Sequence, residues 1–232
     1  MIAPIEIVDP TNRHLYMDAL RDMWRMRFRV AKRFNWTIPT PKEGVDRDEF
    51  DTNETIYLLL RDEENRVVGC SRLNPTMHPH MLDTVFHKNC DLASIPRTPH
   101  IWEFSRMFVD RQYMDLKSVV RNCYLLMSGV AELSVAHSLD GVSWYTSMPN
   151  YQAALACWRQ TYPIGRPAVH KPDNVIYVPA FSPIDEDGLA RIKERARFDG
   201  LVTRYHFSKE HWSPGEEVEI FRWATKDLGD AA

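Results

Sequence analysis

The sequence predicts one α/β domain with a mixed arrangement of strands and helices, and three observations carry that prediction. Strand-like and helix-like segments alternate along the chain. A β-favouring run over residues 101 to 109, a long amphipathic stretch from Asp115 to His137 and a second β-favouring run from Gly141 to Ser147 make one βαβ unit. With 232 residues and 44% hydrophobic content, the chain can bury a sizeable core without any clear mark of a second domain. Residues 1 to 232 are therefore read as a single domain with a polar C-terminal extension from about 205.

The elements follow in order. A short strand over Ile5 to Val8 leads into Asp9-Pro10-Thr11-Asn12, a turn and a cap for a helix running to about Phe34. Leu15, Ala19, Met23, Met26 and Val30 fall at helical spacing and predict the inward face. The same helix carries Arg25, Arg27, Arg29, Lys32 and Arg33, a basic cluster with no acidic neighbour, which reads most simply as a solvated face. Residues 37 to 54 hold two prolines and six carboxylates, Glu43, Asp46, Asp48, Glu49, Asp51 and Glu54, and predict a charged loop. Strands over 55 to 61 and 67 to 73, joined by Asp62-Glu63-Glu64-Asn65, predict a β-hairpin. A long irregular segment, 74 to 100, is expected to hold a short helix near Met81 to Phe86, and long loops of this kind are often functional.

After the βαβ unit, with Leu116, Val119, Val120, Cys123, Met127 and Val130 expected on the inner side of its helix, Asn150 is expected to cap a helix to about Thr161. A strand over 175 to 181 precedes Ser182-Pro183-Ile184-Asp185, read as a helix start with serine as cap and proline in the first turn.

Composition removes several function classes. A formal charge of -3 argues against a dedicated nucleic-acid binder. The four cysteines, at 70, 90, 123 and 157, form no CxxC pair, and no HxxxH or HExxH spacing occurs, so neither a metal site nor a disulfide framework is signalled. No segment reaches the ~20 apolar residues that span a bilayer, and the N-terminus lacks a signal pattern, so a cytoplasmic protein is expected.

Chemistry concentrates in Ile101-Trp-Glu-Phe-Ser-Arg-Met-Phe-Val109, where Glu103 and Arg106 sit inside an apolar run. A carboxylate can take a proton and a guanidinium can grip a carboxylate with two prongs, which suits a site that handles an amino acid. In a regular strand positions 103 and 106 point to opposite faces. Either a bulge intervenes or the two residues serve different layers, and a structural tie between sheet and helix explains the pattern equally well.

The run Pro99-His-Ile-Trp-Glu-Phe-Ser-Arg106, preceded by Gly69-Cys-Ser-Arg-Leu73 and Thr76-Met-His-Pro-His-Met-Leu82, resembles the acyl-homoserine-lactone synthases, the bacterial autoinducer synthases. The blocks match in order and spacing over roughly residues 20 to 150. The resemblance implies a three-layer αβα sandwich with a mixed sheet, similar to N-acetyltransferases. It implies transfer of an acyl group from a thioester to the amine of S-adenosylmethionine, followed by lactonisation and release of methylthioadenosine. Arg27, Trp36, Asp48, Asp51, Arg72 and Phe86 fall on the family's S-adenosylmethionine-binding positions, and Glu103 and Arg106 on its acidic and basic catalytic block. Ala31 stands where the family usually has phenylalanine and Ser71 where tryptophan is common.

Under that resemblance Glu103 is the expected base, Asp48 and Asp51 hold the cationic end of the substrate, Arg27 and Arg106 its carboxylate, and Trp36 offers an aromatic face to sulfonium or adenine. Met107, Ser143, Trp144 and Tyr145 are expected around the acyl chain, the two bulky aromatics favouring a short or branched one; ordinary core packing accounts for them equally well. No cofactor or metal is expected beyond S-adenosylmethionine as substrate. From residue 150 onward 11 basic residues face 12 acidic ones, so no patch for an acidic acyl carrier protein stands out, while the turn 111 to 115 lacks the glycine that would suit a pyrophosphate of coenzyme A. The balance tilts slightly to acyl-CoA. Two other functions fit: an N-acyltransferase acting on another amine, and a non-enzymatic binding module using the basic helix.

Overall fold

The βαβ unit anticipated from sequence is the hinge of the architecture. In the computed structural model, which describes residues 4–34, 44–158, 160–171 and 173–205, β4 (Ile101–Val109) pairs in parallel with β5 (Gly141–Ser147) across helix α3 (Leu116–Ala136). Asp115 caps α3, its side chain accepting from Ser118 N–H. On one side of this pair, β3 (Val67–Pro75), β2 (Ile56–Arg61) and β1 (Ile5–Val8) continue the sheet antiparallel. On the other, β8 (Val175–Pro183) pairs antiparallel with β5 and carries the short β6 (Tyr162–Pro163) and β7 (Ala168–His170). β9 (Thr203–Tyr205) adds in parallel beside β1.

Alternation along the strands divides the core between the two faces. One cluster joins Ile5, Leu58, Leu60, Leu73, Phe104 and Val142 to α3, to α4 (Met148–Cys157) and to α5 (Glu186–Ala196). The other joins Val8, Tyr57, Leu59, Cys70 and Phe108 to α1 (Met17–Arg33). The result is the three-layer αβα sandwich with a mixed sheet that the resemblance implies.

Several local expectations change. Leu15 falls in a 3-10 turn ahead of α1 and is exposed, because Asn12 spends its side chain on Ile7 C=O and Asp9 N–H and does not cap the α-helix. Leu116 and Val120 lie on the outer side of α3; its inner stripe runs through Val119, Leu126, Val130 and Leu133. Asn150 lies inside α4, whose N-cap is Ser147. Ser182 and Pro183 finish β8, since Ser182 pairs with Val142 in the sheet, and α5 is capped by Asp185 instead. The short edge strands β6, β7 and β9 carry too few residues to show a period. The C-terminal extension after 205 lies outside the described residues. Among the described residues no helix is long and apolar enough to cross a membrane.

Candidate active site

A single extra residue in β4 builds the site. Cys70 pairs with Phe108 and Arg72 with Ser105, so between these pairs one residue on β3, Ser71, faces two on β4, Arg106 and Met107. The insertion is absorbed at Arg106, whose φ of 51° is left-handed, an unusual conformation for a side chain other than glycine. Phe104 consequently packs on the α3 side while Phe108, four residues on, packs on the α1 side. Glu103 and Arg106 both reach the α1 side, and the bulge removes the opposite-face conflict.

The bulge also opens the sheet. β4 and β5 pair at 101, 102 and 103, with Glu103 beside Ser143, and then part, while β5 stays paired to β8 as far as Ser147. The fork leaves the main chain of β4 beyond Glu103 without a ladder partner on its β5 side. Into it opens a cavity of about 350 Å³. Phe104 and Trp144, with ring centroids 5.9 Å apart, line it from the α3 face, and Glu103, Arg106 and Tyr145 from the α1 face.

Behind the cavity lies a network of three arginines and three aspartates. Arg27 is fully buried on α1; its Nη1 and Nη2 donate to Asp51 at 2.9 and 3.1 Å and its Nε to Asp46 at 3.1 Å. Arg72 on β3 donates to Asp48 at 2.5 Å and to Ser105 Oγ at 3.0 Å, and its Nη1 lies 3.1 Å from Asp51. Arg106 donates to Asp48 Oδ2 at 2.7 Å, and its Nε lies 3.2 Å from Asp46 Oδ2, off-axis for a hydrogen bond. The formal charges cancel, which is the condition for burying so many. Arg27 and Arg72 beside Asp51 hold its carboxyl well below the usual range against the opposing effect of burial. Arg106 is held below the ordinary guanidinium value by burial, with Arg72 and Arg27 adding repulsion.

The basic cluster of α1 is thus not a single solvated face without acidic neighbours. Arg27 is consumed in this network, Arg29 pairs with Asp110 and Arg25 with Asp22.

Glu103 is a buried carboxylate outside the network. It is 1% exposed and accepts from Met81 N–H at 3.0 Å and Leu82 N–H at 2.8 Å, where the long loop turns into the short helix α2 (Met81–Thr84). Burial raises its pKa, the two amide donors opposing. A carboxyl so placed, on the cavity wall, is suited to take a proton.

Of the residues singled out from sequence, Asp48, Phe86, Glu103, Arg106, Met107, Trp144 and Tyr145 line the cavity. Arg27, Asp51 and Arg72 form the support behind it, and Ser143 is fully buried at the apex of the fork. Trp36 lies outside the described residues. Phe86 and Tyr145, assigned to different substrates by sequence, stack on each other at 3.9 Å. Sequence reasoning passed over Asp46, which bridges Arg27 and Arg106, and Ser105, which orients Arg72. It also passed over the His170, Asp173 and Tyr177 cluster on the β7–β8 hairpin. Asp46 alone carried a signal, as one of six carboxylates in its loop. Among the described residues no group of His, Cys, Asp and Glu side chains is arranged to hold a metal ion.

Residues 12–192 match the profile of a family described as autoinducer synthase. The chain is 35% identical over 137 residues to an isovaleryl-homoserine lactone synthase of Bradyrhizobium diazoefficiens, an alignment that spans 56% of this chain and 62% of the relative. Among solved structures it is similar to a CoA-dependent acyl-homoserine lactone synthase, BjaI. With methylthioadenosine bound, that structure superposes with a TM-score of 0.77 at 28% identity, covering 88% of this chain and 94% of the other. The same protein with S-adenosylmethionine and isopentyl-CoA gives 0.76 at 28% identity, covering 90% and 95%.

Proposed function

The chain belongs to the autoinducer synthase family, and from that premise we propose that it is an acyl-homoserine-lactone synthase. It transfers an acyl group from an acyl thioester to the amine of S-adenosylmethionine and closes the lactone. The products are an N-acyl-L-homoserine lactone, a quorum-sensing signal, and methylthioadenosine. The observation that carries this reading is the bulge at Arg106, which opens the β4–β5 fork and turns Glu103 and Arg106 to one side of it.

In this reading the two substrates meet at the fork. Asp48 at the cavity edge attracts the cationic methionyl end, and Arg106, which lines the cavity with its side chain partly exposed, takes the carboxylate. Arg27, Asp51, Asp46 and Arg72 position these two. Glu103, directly or through a water molecule, removes a proton from the α-ammonium, and the free amine attacks the thioester carbonyl. Main-chain N–H groups of β4 left unpaired beyond Glu103 supply the donors for the oxyanion. Collapse forms the amide and expels the thiolate. The carboxylate oxygen then attacks the γ-carbon, the C–S bond breaks, and the sulfonium leaves as neutral methylthioadenosine.

The acyl chain lies along Met107, Phe104 and Trp144. The similarity to a CoA-dependent synthase supports acyl-CoA as donor, and we place the reaction in the cytoplasm, where both substrates are made.

Purified protein supplied with S-adenosylmethionine and a panel of acyl-CoAs and acyl carrier proteins is expected to release methylthioadenosine and an acyl-homoserine lactone. Acyl transfer to another amine, with no methylthioadenosine from any donor, would overturn the reading.

A further inference from the structure

We propose that His170, held by Asp173 on the β7–β8 hairpin, is a binding residue for the adenosine moiety of S-adenosylmethionine. The inference rests on the reaction proposed above and extends it to a second polar end of the cavity.

Alternation puts this end on the face occupied by Glu103. Along β5, Ser143 beside Glu103, then Tyr145, then Ser147 share one side of the sheet, and Ser147 pairs with Tyr177 on β8. Tyr145 stacks on Phe86 at 3.9 Å and on Tyr177 at 5.3 Å, so one aromatic wall runs from the fork to the hairpin. Four residues of extended chain separate Ser143 from Ser147, about 13 Å at ~3.3 Å each. That is the scale of S-adenosylmethionine from amine to base. The apolar groups suited to an acyl chain, Phe104 and Trp144, line the opposite face.

The hydrogen bonds at the hairpin fix what it can recognise. Asp173, whose side chain is 4% exposed, accepts from Val175 N–H at 3.1 Å and Tyr177 O–H at 2.9 Å, and lies 3.0 Å from His170 Nδ1. With the imidazole uncharged, a carboxylate beside Nδ1 puts the proton there, so Nε2 presents a lone pair. Among the described residues His170 Nε2 makes no hydrogen bond, and His170 lines the cavity. The ligand must therefore bring a donor. Adenosine has three, the 6-amino group and two ribose hydroxyls, attached to a flat system that suits an aromatic wall.

Methylthioadenosine binding by calorimetry at pH 8 reads this without turnover. The wild-type protein is expected to bind it, and His170→Phe to weaken it about tenfold, the effect of one lost hydrogen bond. His170→Gln, which keeps an acceptor, should recover part of the loss, and Asp173→Asn should lose affinity by releasing the ring. In turnover the KM for S-adenosylmethionine rises in His170→Phe and that for the acyl thioester does not. Should the variants fail to fold, the wild-type protein decides: an analogue lacking either the 6-amino group or the ribose hydroxyls must bind about tenfold more weakly. A shift in the thioester KM alone would assign the hairpin to the acyl donor and overturn the inference, as would equal binding of all analogues. Failure of the wild-type protein to bind methylthioadenosine at all would remove the proposed reaction together with it.

Discussion

Replacing Asp51 by asparagine tests whether the network behind the cavity is a support held by charge. Asp51 has no exposed side-chain surface and gathers two N–H groups of Arg27, the Tyr57 hydroxyl at 2.9 Å, Asp48 N–H at 2.8 Å and the nearby Arg72. Asparagine keeps the volume but removes the charge, leaving two buried guanidiniums with two aspartates between them and Arg106. Breaking a buried pair in this way costs about 3–5 kcal/mol. Urea denaturation should therefore show a midpoint lowered by roughly 1–2.5 M at an unchanged slope of ~2–3 kcal/mol/M. The pH dependence has a definite sign. The folded-state pKa of Asp51 lies below its unfolded value near 3.9, so its stabilisation is complete above about pH 4 and is lost as pH falls toward the folded value. The gap between wild type and Asp51→Asn should be constant from pH 5 to 8 and narrow below about pH 4. Tyr57→Phe, which removes one of several donors, should cost only about 1 kcal/mol. A loss under about 1 kcal/mol for Asp51→Asn, or a gap that widens in acid, would refute the argument.

Four further outcomes follow. Glu103→Gln should lower kcat by about 10²–10⁴ with little change in KM for S-adenosylmethionine, measured by methylthioadenosine release. In the wild-type enzyme the acid limb of the rate profile should lie above the usual carboxylate range, because burial raises the Glu103 pKa and the base must be ionised to act. Arg106→Ala should raise the KM for S-adenosylmethionine at least tenfold, since it removes one of the two arginine partners of Asp48 together with the proposed carboxylate grip, and steady-state kinetics read this directly. Gly165→Ala should destabilise the fold by about 1–3 kcal/mol in thermal unfolding, because an added Cβ would come within 1.7 Å of Asn89 C=O in the loop that follows Phe86.

The parts of this molecule that were legible in the sequence are those with a clear period. β4, β5 and α3 lie close to where alternation and helical spacing placed them, and the hairpin of β2 and β3 turns at Asn65, whose φ is positive. The conflict between Glu103 and Arg106 was visible as a conflict, but alternation cannot say which residue is the extra one. That choice depends on β3, where Ser71 faces the bulge between Cys70 and Arg72. Arg27 could have been recognised as buried: it lies four residues after Met23 and three before Val30, on the apolar stripe. Asp46 could not have been distinguished from its five neighbouring carboxylates, because its role is fixed by Arg106, 60 residues away in sequence. The hairpin cluster of His170 and Asp173 was invisible for the same reason; β7 has three residues, and what makes it part of the site is its register on β8.

In the proposed reaction one fork joins acyl transfer to lactonisation. The most direct test of this is the stoichiometry of purified protein with S-adenosylmethionine and an accepted acyl-CoA, following free thiol, methylthioadenosine and acyl-homoserine lactone together. All three are expected in equal amounts, with no methylthioadenosine when the acyl donor is omitted. Thiol release without methylthioadenosine, or methylthioadenosine formed at the same rate without a donor, would contradict it.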